Sequence, residues 1–235
     1  MLVKADLHIH SCLSPCGDLV MSPSAIVVRA LDLGLNLIAI TDHNSALNLP
    51  ALKELCQKHK LSCVYGLEAC TQEEAHILCL FETLEQALKL GETLYPLLPD
   101  IPNRPEKTGD QVYVNADEEI LGEVEKYLVT AAAISLEKLL MLVHDSGGLF
   151  IPAHIDKPVF SIPSQLGFLP PLPYDALESV KLPCPVDTLG HPVIQNSDAH
   201  YIDDIGNRTT TYEMKEPGFA GLVEAIKNKE FSCGS

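Results

Sequence analysis

A chain of 235 residues, 46% of them hydrophobic, can bury a sizeable core, and its length suits one barrel-sized domain better than two small ones. Its 16 Lys and Arg against 32 Asp and Glu leave a formal charge of −16. That balance excludes broad non-specific binding to nucleic acid, which needs a basic footprint, while leaving room for a local positive site.

The N-terminus, Met1-Leu2-Val3-Lys4-Ala5-Asp6, turns polar too soon for a signal peptide. No apolar run approaches the roughly 20 residues that span a bilayer. Of the 8 cysteines, Cys56, Cys63, Cys70 and Cys79 fall inside apolar helical or strand patterns, where free cysteine behaves as a small hydrophobe. A reduced, cytoplasmic protein with no membrane partner is expected.

In chain order, the first strand carries Asp6-Leu7-His8-Ile9-His10, whose alternate residues project to one face. Ser22-Pro23-Ser24 reads as a cap with proline in the first turn of a helix that Gly34 ends. Leu35 to Thr41 predicts a buried strand ending at Asp42-His43, Pro50 to Lys60 a helix, and Ser62 to Glu68 a strand ending in Glu68. Ala75 to Phe81 reads as a strand beginning near His76, and Thr83 to Leu98 as a helix stopped by the proline-rich loop 99–105. Asp117 to Leu128 and Ser135 to Ser146 are expected as helices, the second capped by Ser135 and stopped by Gly147-Gly148. Leu149 to Ala153 is a strand delivering His154. The proline-rich segment 158–192 predicts a long surface excursion with Asp175 to Val180 its one regular piece. Phe219 to Lys229 closes the chain as a helix. No linker or repeat divides the sequence, so residues 1–235 are expected to form one domain. Strands alternating with helices imply a parallel sheet, with chemistry gathered at the C-terminal strand ends.

Ligand-type residues recur at those ends. Thr41-Asp42-His43-Asn44, Gly66-Leu67-Glu68 with His76, Pro152-Ala153-His154 and Ser197-Asp198-Ala199-His200 echo the opening His-x-His. In order, these motifs resemble the polymerase and histidinol phosphatase (PHP) family across residues 2–229. The resemblance implies a distorted seven-stranded β/α barrel, TIM-like in plan. Its site would hold two or three divalent ions (Zn, Mn or Fe, with Mg admitted) and hydrolyse phosphoesters.

Carried over by motif, the metal ligands are His8, His10, His43, Glu68, His76, His154, Asp198 and His200. The family's ninth ligand comes from the loop after the first motif, often as Asp in an Asp-Gly pair, whereas this loop reads Ser14-Pro15-Cys16-Gly17-Asp18. Counting from His8 favours Cys16 and counting back from Pro23 favours Asp18. Asp18 is the preferred ligand, because a carboxylate serves Mn, Mg, Fe or Zn alike, whereas a thiolate would bias the site to soft metals. Asp42 is expected to orient a ligand or water, the alternative being a helix-capping carboxylate. His154 is expected to share in catalysis, and Lys157 and Arg208 to grip phosphate oxygens unless they are ordinary surface charges. His59, His144 and His191 have no motif around them.

Metal ions a few ångströms apart can share a water, lower its pKa and aim the resulting hydroxide at phosphorus, so no side-chain nucleophile is needed. The chain indeed carries no Gly-x-Ser-x-Gly elbow and no Walker loop. The expected activity is a phosphatase or phosphoesterase acting on a small phosphorylated metabolite. A 3′–5′ exonuclease acting on a short strand end is the alternative, and a non-catalytic metal-binding scaffold the third reading. The sequence fixes neither the substrate nor an oligomeric state.

Overall fold

The computed structural model describes residues 1–234, so Ser235, the last residue of the expected domain, lies outside it. The elements run β1 (Leu2–Ile9), α1 (Pro23–Asp32), β2 (Leu37–Ile40), α2 (Leu49–His59), β3 (Ser62–Cys63), β4 (Tyr65–Cys70), β5 (His76–Phe81) and α3 (Leu84–Leu94). There follow α4 (Pro105–Thr108), β6 (Val112–Val114), β7 (Ile120–Glu123), α5 (Leu136–Asp145), β8 (Leu149–Pro152) and α6 (Ile162–Leu166). The chain ends with β9 (Leu177–Glu178), β10 (Val193–Ile194), β11 (Thr210–Glu213), α7 (Phe219–Asn228) and β12 (Phe231–Cys233).

Local chemistry sets most helix starts. The Ser22 side chain accepts from the Ala25 N–H ahead of Pro23, Thr83 and Gln86 form a reciprocal capping box on α3, and Ser135 accepts from the Lys138 N–H of α5.

The strands form a mixed α/β fold, and their pairing is not parallel throughout as expected. Hydrogen bonding divides them into sheets of order β12-β11-β1-β2-β3 and β4-β5-β8, with pairs β9-β10 and β6-β7, and no closed barrel among the described residues. Pairing is parallel in β1-β2-β3 but antiparallel throughout β4-β5-β8 and where β11 meets its neighbours. The short connection from Cys70 to His76 explains the change, because a parallel crossover needs a dozen or more residues whereas a hairpin does not.

Strand alternation sorts apolar side chains into two layers. Val3, Ala5, Leu7, Leu37, Ala39, Leu78, Leu80, Leu149 and Ile151 share one buried cluster with Tyr212 and with Leu222 and Ile226 of α7. Their neighbours Ile38, Ile40, Ile77, Cys79, Phe81 and Phe150 turn to the opposite face and pack with residues of α1, α2, α3 and α5. The two principal sheets therefore face one another across a common core and bring their ligand-bearing ends together.

Three further expectations are corrected. Residues 117–128 form no helix: β6 and β7 make an antiparallel hairpin. The Asn115 carboxamide accepts from the Asp117 and Glu119 N–H groups, and Glu118 adopts a left-handed φ of 65°, a side-chain-stabilised turn in place of a helix start. The 62–68 strand is interrupted at Val64 and its second part continues to Cys70. In the 158–192 excursion β9 falls within the regular piece expected at 175–180, but α6 adds a second regular element. All eight cysteines are free, and no helix among the described residues is long and apolar enough to cross a membrane.

Candidate metal centre

Strand β1 aims His8 and His10 to the same side, and their Nε2 atoms approach to 3.1 Å. The chain after β2 brings His43, whose residue bridges in parallel to Glu68 of β4, while the Glu68 N–H bonds the Asp42 carbonyl at 3.0 Å. The β4-β5 hairpin sets His76 near Glu68, with the Nδ1 of His76 3.0 Å from Oε1. β8 leads into His154, whose Nε2 lies 3.2 Å from the same oxygen. The segment after β10 supplies Asp198, bridged to β1 through Ile9 and Ala199, and then His200.

Glu68 is the hub. It is buried, and its oxygens lie 3.0 to 3.5 Å from ring nitrogens of His8, His10, His43, His76 and His154. Yet neither oxygen has a hydrogen-bond donor of acceptable geometry, and His43 Nδ1, His76 Nε2 and His154 Nδ1 are likewise buried and unpaired. Such orphaned polar atoms are rare in a folded protein, where burial without a partner costs about 1–3 kcal/mol each. Burial raises the carboxyl's pKa, but His76, His8 and His43 outweigh it and hold Glu68 well below the usual carboxylate range. Asp198 Oδ1 stands 3.3 Å from both His8 Nε2 and His10 Nε2. His154 and Asp198 both adopt left-handed backbone, φ 32° and 55°, a strain that surrounding structure sustains.

Three overlapping sets have ligand atoms close enough to hold a cation: His8–His10–Asp198, His43–Glu68–His76 and His10–Cys16–His43–His200. Asp18, the sequence choice for the ninth position, is in none of them. Its carboxylate caps the turn by accepting from the Val20 N–H at 3.0 Å. The loop turns Cys16 inward instead, with its Sγ 3.3 Å from His43 Nε2. Partial desolvation raises the thiol's pKa, but hydrogen bonds from His200 and His43 prevail and lower it to about 6.

Asp42 is in none of these sets. Its carboxylate accepts from the Ser11 N–H at 2.7 Å and from the hydroxyls of Ser11 and Ser14, and Ser14 Oγ in turn lies 2.9 Å from His10 Nδ1. It is thus linked to His10 through Ser14 and is not part of the cavity wall. Asp6, which shares the strand face of His8, accepts the Ser197 and Gly206 N–H groups at 3.0 and 2.9 Å. It thus anchors the Asp198 segment. Burial pushes its carboxyl up to about 6 against those hydrogen bonds.

Lys157 stands at the cavity wall in an ion pair with Asp198. Arg208 is not in the cavity lining. Its guanidinium donates to the Asn196 and Ser197 carbonyls, which corrects the phosphate-gripping role expected of it. His144 pairs with Asp175, and His191 Nδ1 bonds the Tyr174 carbonyl, both apart from the cluster.

Sequence reading missed Glu178. This buried carboxylate of β9 lies 3.1 and 3.0 Å from His8 Nδ1 and accepts from the His154 N–H and the Asn196 side chain. Its short strand sits in the proline-rich excursion, and Leu-Glu-Ser carries no ligand motif, so no local signal marked it. Phe160, also missed, stacks on the His76 ring at 4.7 Å and 13°.

The cluster opens into a cavity of about 210 Å³ whose wall adds Val129, Val159 and Phe160 to the ligands and Lys157. A larger cavity of about 480 Å³ beside α3 contains none of the clustered ligands.

Residues 6–160 match the PHP domain family, and residues 186–231 match the PHP-associated family. The chain is 38% identical over 66 residues to the PolC-type DNA polymerase III of Oceanobacillus iheyensis, a stretch covering 28% of this chain and 5% of the polymerase. Its fold is similar to that of a lesion-specific endonuclease from Pyrococcus furiosus (TM-score 0.71, 22% identity), covering 97% of this chain and 56% of the endonuclease. It is also similar to a protein from Bifidobacterium adolescentis described as a metal-dependent phosphoesterase (TM-score 0.58, 19% identity), covering 83% and 87% of the two chains. The chain thus spans a small part of the polymerase and about half of the endonuclease.

Proposed function

Since this chain belongs to the PHP domain family, we propose that its clustered imidazoles, carboxylates and thiol form a di- or trinuclear metal centre that hydrolyses the phosphate ester of a small metabolite. The observation carrying this reading is Glu68, buried at the focus of five imidazoles with both oxygens undonated. Metal cations held by Glu68 together with those imidazoles would meet that arrangement, and a protein-only hydrogen-bond network does not.

The donor set suits Zn, Mn or Fe, with Mg admitted at positions rich in oxygen. His8, His10 and Asp198 would hold one ion, Glu68 with His76 and His154 a second, and Cys16, His43 and His200 a third. Bound divalent ions supply Lewis acidity, neutralise phosphate charge and lower the pKa of water.

The protein's own side chains do the positioning. Glu178 accepts a hydrogen bond from the Nδ1–H of His8 and Ser14 Oγ faces Nδ1 of His10, so both rings present Nε2 inward. Lys157 offers a cation where a phosphate oxygen would lie, exchanging its pairing with Asp198. The apolar rim of Val129, Val159 and Phe160 can shelter the organic part of an ester from water. A cavity of about 210 Å³ supports a phosphomonoester or a strand terminus over an internal duplex phosphate. The overall charge of −16 points the same way.

The test is turnover of p-nitrophenyl phosphate and a panel of sugar, nucleotide and amino-alcohol phosphates with Mn, Zn or Fe supplied. His10→Ala is expected to lower metal content and rate together by about 10²-fold or more. Unchanged turnover in that variant would sink the metal mechanism.

Cleavage at a nucleic-acid strand end is a second reading, favoured by the 38% identity to a polymerase segment. End-labelled single-stranded DNA in the same assay separates the two. Preferential shortening of the strand over hydrolysis of every monoester would favour the nuclease.

A further inference from the structure

The set His10, Cys16, His43 and His200 differs in kind from the two beside it, because it alone contains sulfur. His43 presents one ring edge to each side: Nδ1 lies 3.0 Å from Glu68 Oε2, and Nε2 lies 3.3 Å from Cys16 Sγ. His10 has its Nδ1 against Ser14 and its Nε2 towards His8, Glu68 and Asp198, which assigns it to the inner group. The outer group is then Cys16, His43 Nε2 and His200, whose ring stacks 4.2 Å from His10. The groups also differ in depth: His8, His10 and Glu68 are buried, whereas Cys16 is exposed at the mouth and His200 only partly covered.

We infer that the metal centre is chemically two-sided, with an inner part built on Glu68 and Asp198 that accepts hard or borderline ions and an outer position built on Cys16, His43 and His200 that selects a thiophilic ion. The inference rests on the metal-centre reading above. A carboxylate in the loop, which Asp18 would have supplied, binds Mn, Mg, Fe and Zn with little discrimination, whereas a soft thiolate favours Zn or Co over Mn and Mg. The inner carboxylates impose no such preference. One chain can therefore hold different metals at neighbouring positions, and the solvent-facing ion is the one a soft chelator withdraws first.

Cobalt(II) is the optical probe. Metal-stripped protein titrated with Co²⁺ is expected to develop a sulfur-to-cobalt charge-transfer band that Cys16→Ser and Cys16→Asp lack. In parallel, each protein is dialysed against equal concentrations of Zn²⁺ and Mn²⁺ and its metals are counted. Zinc outcompetes manganese to some degree at most nitrogen, oxygen and sulfur sites, so the comparison between proteins carries the result. Cys16→Asp should lower the bound zinc-to-manganese ratio by roughly tenfold. Peptide mapping after iodoacetamide should find Cys16 protected by zinc and not by manganese.

The same band in Cys16→Ser, the same metal ratio in Cys16→Asp, or Cys16 alkylated as fast with zinc as without would each overturn the inference. Those results leave the inner centre standing. Failure of the wild-type chain to bind any metal would overturn both this inference and the hydrolase reading. Cys16 is exposed on a loop, and a thermal melt of each variant verifies that the chain remains folded.

Discussion

Glu178 shows how a single side chain can act at the centre without facing the substrate. By accepting a hydrogen bond from the His8 Nδ1–H it fixes that imidazole's tautomer, and by accepting the His154 N–H it holds His154 in left-handed backbone. Glu178→Gln keeps the shape but offers a neutral, weaker acceptor. It is expected to loosen metal binding by about 10- to 100-fold, read by competition with a chromophoric chelator, while the fold melts near the wild-type temperature. Equal affinity in that variant would reduce Glu178 to a packing residue. Asp42 works on His10 in the same manner through Ser14, so Ser14→Ala should weaken the metal by a similar factor. That loss should exceed the effect of Asp18→Ala, whose carboxylate merely caps a turn. Comparable losses from the two serine and aspartate variants would return Asp18 to the ligand set.

At the scale of elements, the β4-β5 hairpin is the piece on which the centre depends, because it carries Glu68 and His76 on adjacent strands with one connecting turn. Gly66 lies opposite Leu80, and a methyl group added there would meet the Cys79 carbonyl at 2.6 Å and the Leu80 side chain at 2.7 Å. The obstacle is partly backbone, so the strands must part. Gly66→Ala should cost about 1–3 kcal/mol, a fall of several degrees in Tm. Because the displaced strand carries Glu68, metal affinity should fall in step. A lower Tm with metal affinity intact would mean that the hairpin absorbs the shift before it reaches the carboxylate. In the rest of the chain, regular elements followed their caps: α1, α3 and α5 begin where Ser22, Thr83 and Ser135 place them. The β6-β7 hairpin escaped because Asp117 to Leu128 has enough apolar spacing to suit a helix, while the turn at Asn115 depends on side-chain hydrogen bonds that spacing does not encode.

For the molecule as a whole, side chains from β1, β4, β5 and the segments after β2, β8 and β10 meet at one place, so a metal bound there would tie distant parts of the chain together. An ion that binds only the folded chain stabilises it by about 2.7 kcal/mol at a hundredfold excess over its Kd. Stripping with EDTA should therefore lower Tm by several degrees, and adding Zn or Mn back should restore it. An unchanged melt would argue that the cluster is preformed and holds ions too weakly to matter. What the sequence made legible by itself was a set of ligand-type residues: His8, His10, His43, Glu68 and His154 stand at the close of short apolar runs, His76 opens one, and Asp198 and His200 lie in a Ser-Asp-Ala-His motif, all of them local features of the chain. Tertiary structure decided which loop residue faces the centre, choosing Cys16 over Asp18, and it drew Glu178 in and turned Arg208 away. It also made five of the eight strand pairings antiparallel. Cys16 meets His43 27 positions away and Glu178 meets His8 170 positions away, and which side chain reaches across such a distance is set by how the sheets pack, which no local pattern records.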